Sequence, residues 1–179
     1  MTSKMKYPFC LAILVFLILF PYMPHCEAGL STATSKAAAR KILKGGFNPS
    51  KMKAGDRFGK AAYMSSSART ALKEKPKAGA VVRFKESKYF QKYILDVRNP
   101  KPAQVKSITG AKDLRGMVHK RVIGSKLGHR LASVASKEGK SIKYRSARDP
   151  KGTNIAIPKK VYESHPKIVK PYKIAGAAN

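Results

Sequence analysis

Acidic side chains are scarce in this chain. Nine Asp and Glu face 38 Lys and Arg among 179 residues, giving a formal net charge of +29. Cysteine is nearly missing too: Cys10 and Cys26 are the only two, and both precede Gly29. A disulfide scaffold is therefore excluded, and the body of the chain has no thiolate for a zinc site. No two histidines stand four apart with a glutamate, so the helical zinc-protease pattern is absent. There is no Gly-x-Ser-x-Gly turn for a hydrolase serine and no Gly-rich phosphate loop. The one candidate glycosylation acceptor, Asn48, is followed by Pro49 and is void. No period recurs, which rules out repeat arrays, coiled coils and collagen-like fibres. What is present is a 43% hydrophobic chain, apolar enough for a packed core and of a length for one domain plus a targeting segment.

The positive charge must cost some stability through self-repulsion, and it draws the chain to anionic surfaces. The lysines are spread along the whole sequence. That distribution favours a general field over a defined groove, so adhesion to an anionic envelope is expected and no dedicated nucleic-acid partner is favoured.

Residues 1–28 read as a secretory signal peptide. Lys4 and Lys6 are followed by an apolar run over residues 11–20, then by Pro21 and Pro24, and Cys26 and Ala28 supply small residues before a cut at Gly29. The run is too short for a spanning helix, which needs about 20 apolar residues. A secreted or periplasmic location is the expectation. Removal of Lys4, Lys6 and Glu27 leaves the mature charge almost unchanged.

The remainder divides into a leader with a short helix (29–54), a core (55–166) and a basic tail over the surface (167–179). In the leader, Ser35 caps a helix that Gly45 and Gly46 close. In the core, 61–65 is a strand, and a helix capped by Ser66 or Ser67 runs through Glu74 until Pro76 stops it. Residues 80–84, 93–97 and 105–108 have strand composition. Leu114, Met117, Val118 and Val122 share one helix face. Leu127, Leu131, Val134 and Ala135 share another, capped by Ser125 and ended by Gly139. Strands follow at 141–146 and 154–157, joined by a turn at 148–152. The fold class is α+β: a compact mixed sheet with short helices and no alternating βαβ signature.

Few residues offer chemistry. His119, His129 and His165 would have to serve a ribonuclease, which needs an acid and a base. A second cluster of features is more specific. Gly55-Asp56-Arg57-Phe58-Gly59 is followed by Tyr63-Met64-Ser65 and by Thr70-Ala71-Leu72-Lys73-Glu74. Near the other end stands Tyr144-Arg145-Ser146-Ala147-Arg148-Asp149-Pro150-Lys151-Gly152-Thr153-Asn154.

In order and spacing these two stretches resemble the RES family, named for an arginine, a glutamate and a serine, whose members act on NAD. The family pattern runs Gly-x-Arg-aromatic, Tyr-x-Ser on a strand, a helix ending Ala-Leu-x-Glu, and later Ser-Ala-Arg with a Gly-x-Asn. Arg57, Tyr63, Glu74 and Ser146 match position by position. The resemblance spans about Gly55 to Pro166, and it departs from the pattern in lacking the Asn that often follows the aromatic residue. It implies an ADP-ribosyltransferase-like core and cleavage of the nicotinamide–ribose bond of NAD, by hydrolysis or phosphorolysis. It implies NAD as substrate and no cofactor.

The side chains suit such a reaction. Arginine offers bidentate, permanently charged donors to a pyrophosphate. A tyrosine face favours a flat cationic ring. A carboxylate stabilises an oxocarbenium-like ribose. The resulting roles are Arg57 for the phosphates, Tyr63 for the nicotinamide, Glu74 for the ribose and its developing charge, and Ser146 for positioning, with Ser146 and Asn154 also among the substrate-binding residues. An exported enzyme of this kind reads as a toxin or effector, with an acidic immunity or antitoxin protein as its expected partner. The rival classes are a cationic secreted ribonuclease and a non-enzymatic basic protein that binds nucleic acid or membranes.

Overall fold

The computed structural model describes residues 29–52, 57–88, 90–110, 118–119 and 122–176. The expected signal peptide therefore lies outside the described residues, as do Gly55, Asp56, Leu114 and Met117. Nine strands and five helices are described. They run β1 Leu30–Thr34, α1 Lys36–Gly45, β2 Ala61–Ser65, α2 Ala68–Glu74, β3 Ala80–Glu86, β4 Ile94–Asp96, α3 Pro102–Thr109, β5 Val118–His119, β6 Val122–Ile123, α4 Ser125–Lys137, β7 Ser141–Arg145, β8 Thr153–Pro158, α5 Lys159–Ser164 and β9 Val169–Gly176. Seven strands form one sheet in the order β4-β7-β8-β2-β1-β3-β9, and β5 pairs with β6 as a separate hairpin. Only β4–β7 is parallel within the large sheet; its other pairs are antiparallel. The mixed α+β class is therefore the observed one.

Strand alternation sorts the core onto the two sheet faces. Ile155 and Ile157 of β8 join Met64, Val82 and Phe84 on one face, beneath Ala39 of α1 and Val161 and Tyr162 of α5. Ala156, between them, turns to the other face with Ile142 and Tyr144, beneath Leu127, Leu131 and Ala135 of α4. The four-residue spacing of those three helical side chains is the apolar stripe that the sequence shows. A smaller cluster, Ala33, Ala71 and Val81, seats α2 on that second face.

The sheet has one weak seam. β2 shares five register positions with β8, and β1 shares five with β3. β1 and β2 share a single one, Ser31 opposite Ser65. Past it, the Thr32 hydroxyl donates to the Tyr63 carbonyl at 3.0 Å, and the two strands part.

Several expectations need correction. The leader at 29–54 is part of the sheet, because Leu30–Thr34 is a central strand. Its Ser and Thr side chains are small enough to bury, and the Thr32 hydroxyl has a backbone partner. The tail at 167–179 supplies β9, which pairs with β3 from Glu86↔Val169 to Ala80↔Gly176. Lysines and Pro171 suit an edge strand, which donates on one side only. Residues 105–108 are helical: Pro102 occupies the first turn of α3, where its missing N–H costs nothing, and Gly110 closes the helix at φ +64°. Val118 and Val122 lie on the β5–β6 hairpin rather than on a helix. Gly124, not Ser125, occupies the N-cap of α4.

Candidate active site

The cleft lies on the α2 face of the weak seam. β2 alternates so that Tyr63 and Ser65 share one face, and register places Asn154 of β8 opposite Ser65. The Ser65 hydroxyl donates to Asn154 Oδ1 at 2.7 Å, which orients the amide. Asn154 Nδ2 then donates to Glu74 Oε1 at 2.7 Å. The Ser146 hydroxyl donates to the same oxygen at 2.6 Å. Ser65, Ser146 and Asn154 are all buried, so two buried side chains, one of them oriented by a third, meet on one carboxylate oxygen.

Glu74 reaches this place because α2 starts and stops where the sequence says. The Ser67 hydroxyl accepts from the Thr70 N–H at 3.0 Å and opens the helix. Glu74 is its last residue. A carboxylate at a helix C-terminus is opposed by the dipole. The two charge-assisted hydrogen bonds to Oε1 offset that, since such bonds are the strong ones. Among the described residues, Oε2 accepts no hydrogen bond.

Ser146 is held by its own loop. Its hydroxyl accepts from the N–H groups of Asp149 (2.8 Å) and Arg148 (3.2 Å) while donating to Glu74. The loop is fastened to α2 through Asp149, which accepts from Thr70 Oγ1 at 2.8 Å and from Lys73 Nζ at 2.9 Å. The Lys73 hydrogen bond, then that of Thr70, holds the Asp149 carboxyl below its ordinary pKa. Gly152 permits the close docking: a Cβ there would lie 2.5 Å from Thr70 Cγ2.

Arg57 enters from the turn before β2. Its carbonyl presses on α4, where a Cβ on Gly128 would come within 2.2 Å of it. Its guanidinium lies 5.7 Å from the centre of the Tyr144 ring, and Tyr144 packs on Phe58 at 4.5 Å. Tyr63 closes the same turn: its hydroxyl donates to the Gly59 carbonyl at 2.9 Å and accepts from the Phe58 N–H at 3.1 Å. The half-buried ring thus stands between a fixed hydroxyl and the cleft.

The hollow bounded by these groups measures about 250 Å³, and Arg57, Tyr63, Glu74 and Asn154 all line it. Ser146 supports Glu74 from the wall. The sequence-derived residues therefore meet at one place. Their geometry revises the expectation that Ser146 contacts the substrate directly. The Ser146 proton is committed to Glu74, so this side chain acts on the carboxylate; Asn154 gives one of its two N–H groups to Glu74 and also lines the cleft. Lys75, Tyr144 and Arg148 also line the cleft, and sequence reasoning assigned them nothing. Tyr144 was findable, two residues before Ser146 and on β7, while Ser65 already stood in the Tyr63-Met64-Ser65 motif without a role. Among the described residues, three cations, Arg57, Lys75 and Arg148, thus line the cleft with one carboxylate, Glu74. Neither His129 nor His165 lines this cleft; the His165 ring lies tilted against Tyr93, with centres 6.0 Å apart.

The molecule is an α+β domain whose cleft, at a partly opened sheet, carries one oriented carboxylate among cations. No protein-family model matches the chain, and no curated protein matches it in sequence. Among solved structures it is similar to a chain of the M. tuberculosis MbcT–MbcA toxin–antitoxin complex, with a TM-score of 0.50, 10% identity, and 84% of each chain covered. At that identity the likeness is one of fold.

Proposed function

We propose that this protein is an NAD-cleaving enzyme of RES type that acts as a toxin. The observation that carries the reading is the Glu74 carboxylate: Oε1 is held by Ser146 and Asn154, Oε2 is unoccupied by any described residue, and both stand in a cleft with Tyr63 and Arg57. In this reading the nicotinamide ring lies against Tyr63 and Tyr144. The bond between ribose C1′ and the ring nitrogen breaks, and its electron pair leaves with nicotinamide, which departs neutral. Glu74 faces the positive charge that develops on the ribose. Water or phosphate then forms the new bond to C1′, and the acceptor's proton passes to solvent or to Glu74. Arg57 and Arg148 bind the pyrophosphate.

The likeness of fold to a protein from a toxin–antitoxin complex supports the toxin assignment, and it supports a partner protein that restrains the activity. The charge of +29 suits an acidic partner. Export through the N-terminal segment belongs to the same reading.

The test is to incubate the full chain with NAD, with and without phosphate, and to follow nicotinamide release. Glu74→Gln keeps the shape and removes the charge. It should lower the rate at least about a hundredfold, the scale of one lost electrostatic or acid–base contribution. Release at an unchanged rate in Glu74→Gln, or no release by the wild type, overturns the reading.

A further inference from the structure

The cleft at Glu74 is small for the proposed substrate. Its volume of about 250 Å³ falls below the roughly 300–1,000 Å³ of sites for drug-sized ligands, and NAD joins two nucleotides. One nucleotide half has room there; the other must lie elsewhere.

A second hollow of about 1030 Å³ lies beside the first and shares part of its wall. Thr32, Tyr63 and Lys75 line both, so the two meet where β1 and β2 part. Its far wall is α1, with Ala37, Lys41 and Ile42, and the segment after it adds Phe47, Lys51 and Met52. Among the described residues that line it no side chain is acidic, whereas Lys41, Lys51 and Lys75 are basic. An apolar wall under a ring of cations suits a flat aromatic base carrying phosphate.

We infer that this groove beside α1 binds the adenylate half of the dinucleotide, with Lys75 at the junction against the pyrophosphate. The inference rests on the NAD reading for its ligand, and it commits to the strand gap as the passage between the two halves. It gives α1 a purpose that the Glu74 cleft does not use. It also explains the single register position shared by β1 and β2: a fully paired seam would close the passage.

Two half-molecules separate the sites. AMP probes the groove and nicotinamide mononucleotide probes the cleft, each titrated into the full chain by calorimetry. Ala37→Trp fills the groove and Lys41→Glu reverses a charge; both positions are exposed on α1, so folding should survive, and circular dichroism checks it. Each variant should weaken AMP about tenfold, the scale of one lost charge contact, and raise KM for NAD similarly. Nicotinamide mononucleotide should bind as before, and Lys41→Arg should restore AMP. Unchanged AMP affinity in both variants, or equal loss for both half-molecules, overturns the groove. If NAD is cleaved with KM unchanged in both variants, the groove falls and the cleavage stands. If AMP responds to the variants but no nicotinamide is released, the groove stands and the cleavage falls. Absence of any AMP binding to the wild type overturns the groove directly.

Discussion

Two seams of the same sheet behave differently. β2 and β8 share five register positions, and buried Ile155 and Ile157 pack beneath them. β1 and β2 share one, and a side-chain hydroxyl takes over where backbone pairing stops. The closed seam holds the fold; the open one makes the room in which Glu74 stands. A sheet forgoes ladder hydrogen bonds only where something else satisfies the strands. Here the Thr32 hydroxyl takes the Tyr63 carbonyl in place of a ladder partner.

The largest effect should come from the closed seam. Ile157 is fully buried in the main core. Ile157→Ala should cost about 2–5 kcal/mol, which for a domain of this size lowers Tm by about 2–4 °C per kcal/mol. Specific activity per folded molecule should hold. A comparable Tm loss from Glu74→Gln would erase the contrast between the seams, since that change should alter rate and leave Tm nearly alone.

The acid side offers a second contrast, smaller in size. Asp149 has its pKa lowered by Lys73 and Thr70. A depressed carboxylate contributes stability above its unfolded value of about 3.9 and loses it as pH falls through the lower folded value. Asp149→Asn should therefore be less stable than wild type at neutral pH, and the gap should close below about pH 4. Thermal unfolding from pH 2 to 7 measures it. A gap that persists unchanged at low pH would mean that the loop carrying Ser146 is held by packing around Gly152 and not by charge.

Parts of this arrangement were legible in the residues and parts were not. Ser67, the helix after it and the Glu74 terminus follow from capping and from Pro76. The order of Arg57, Tyr63, Glu74 and Ser146 pointed to one site, and they do line or support one cleft. β1 was hidden because Leu-Ser-Thr-Ala-Thr has neither a β-branched run nor a clean alternation, and its burial depends on neighbours from residues 61–65 and 80–84. β9 was hidden because lysines and a proline look like a tail, although an edge strand tolerates both. Spacing also cannot say which oxygen a hydroxyl meets. Ser146 reads as a substrate contact, and only the fold shows its hydroxyl donating to Oε1 of Glu74, beside one N–H of Asn154. The groove beside α1 left no motif at all, since its walls come from three separated segments.

The smallest effect is the sharpest test of the seam. Thr32→Val keeps the side-chain volume and removes the hydroxyl that donates to Tyr63 O at 3.0 Å. Losing one such bond should cost about 0.5–1.5 kcal/mol, and Thr32→Ser, which keeps the donor, should cost less. Because Thr32 lines both hollows, the valine variant should also raise KM for NAD, while a core change such as Ile157→Ala leaves KM in place. If Thr32→Val changes neither stability nor KM, the hydroxyl is not what holds β1 beside β2. The width of the gap would then be set by the strands flanking it, β3 and β8, and the open seam would be a consequence of core packing on either side and not a feature with its own support.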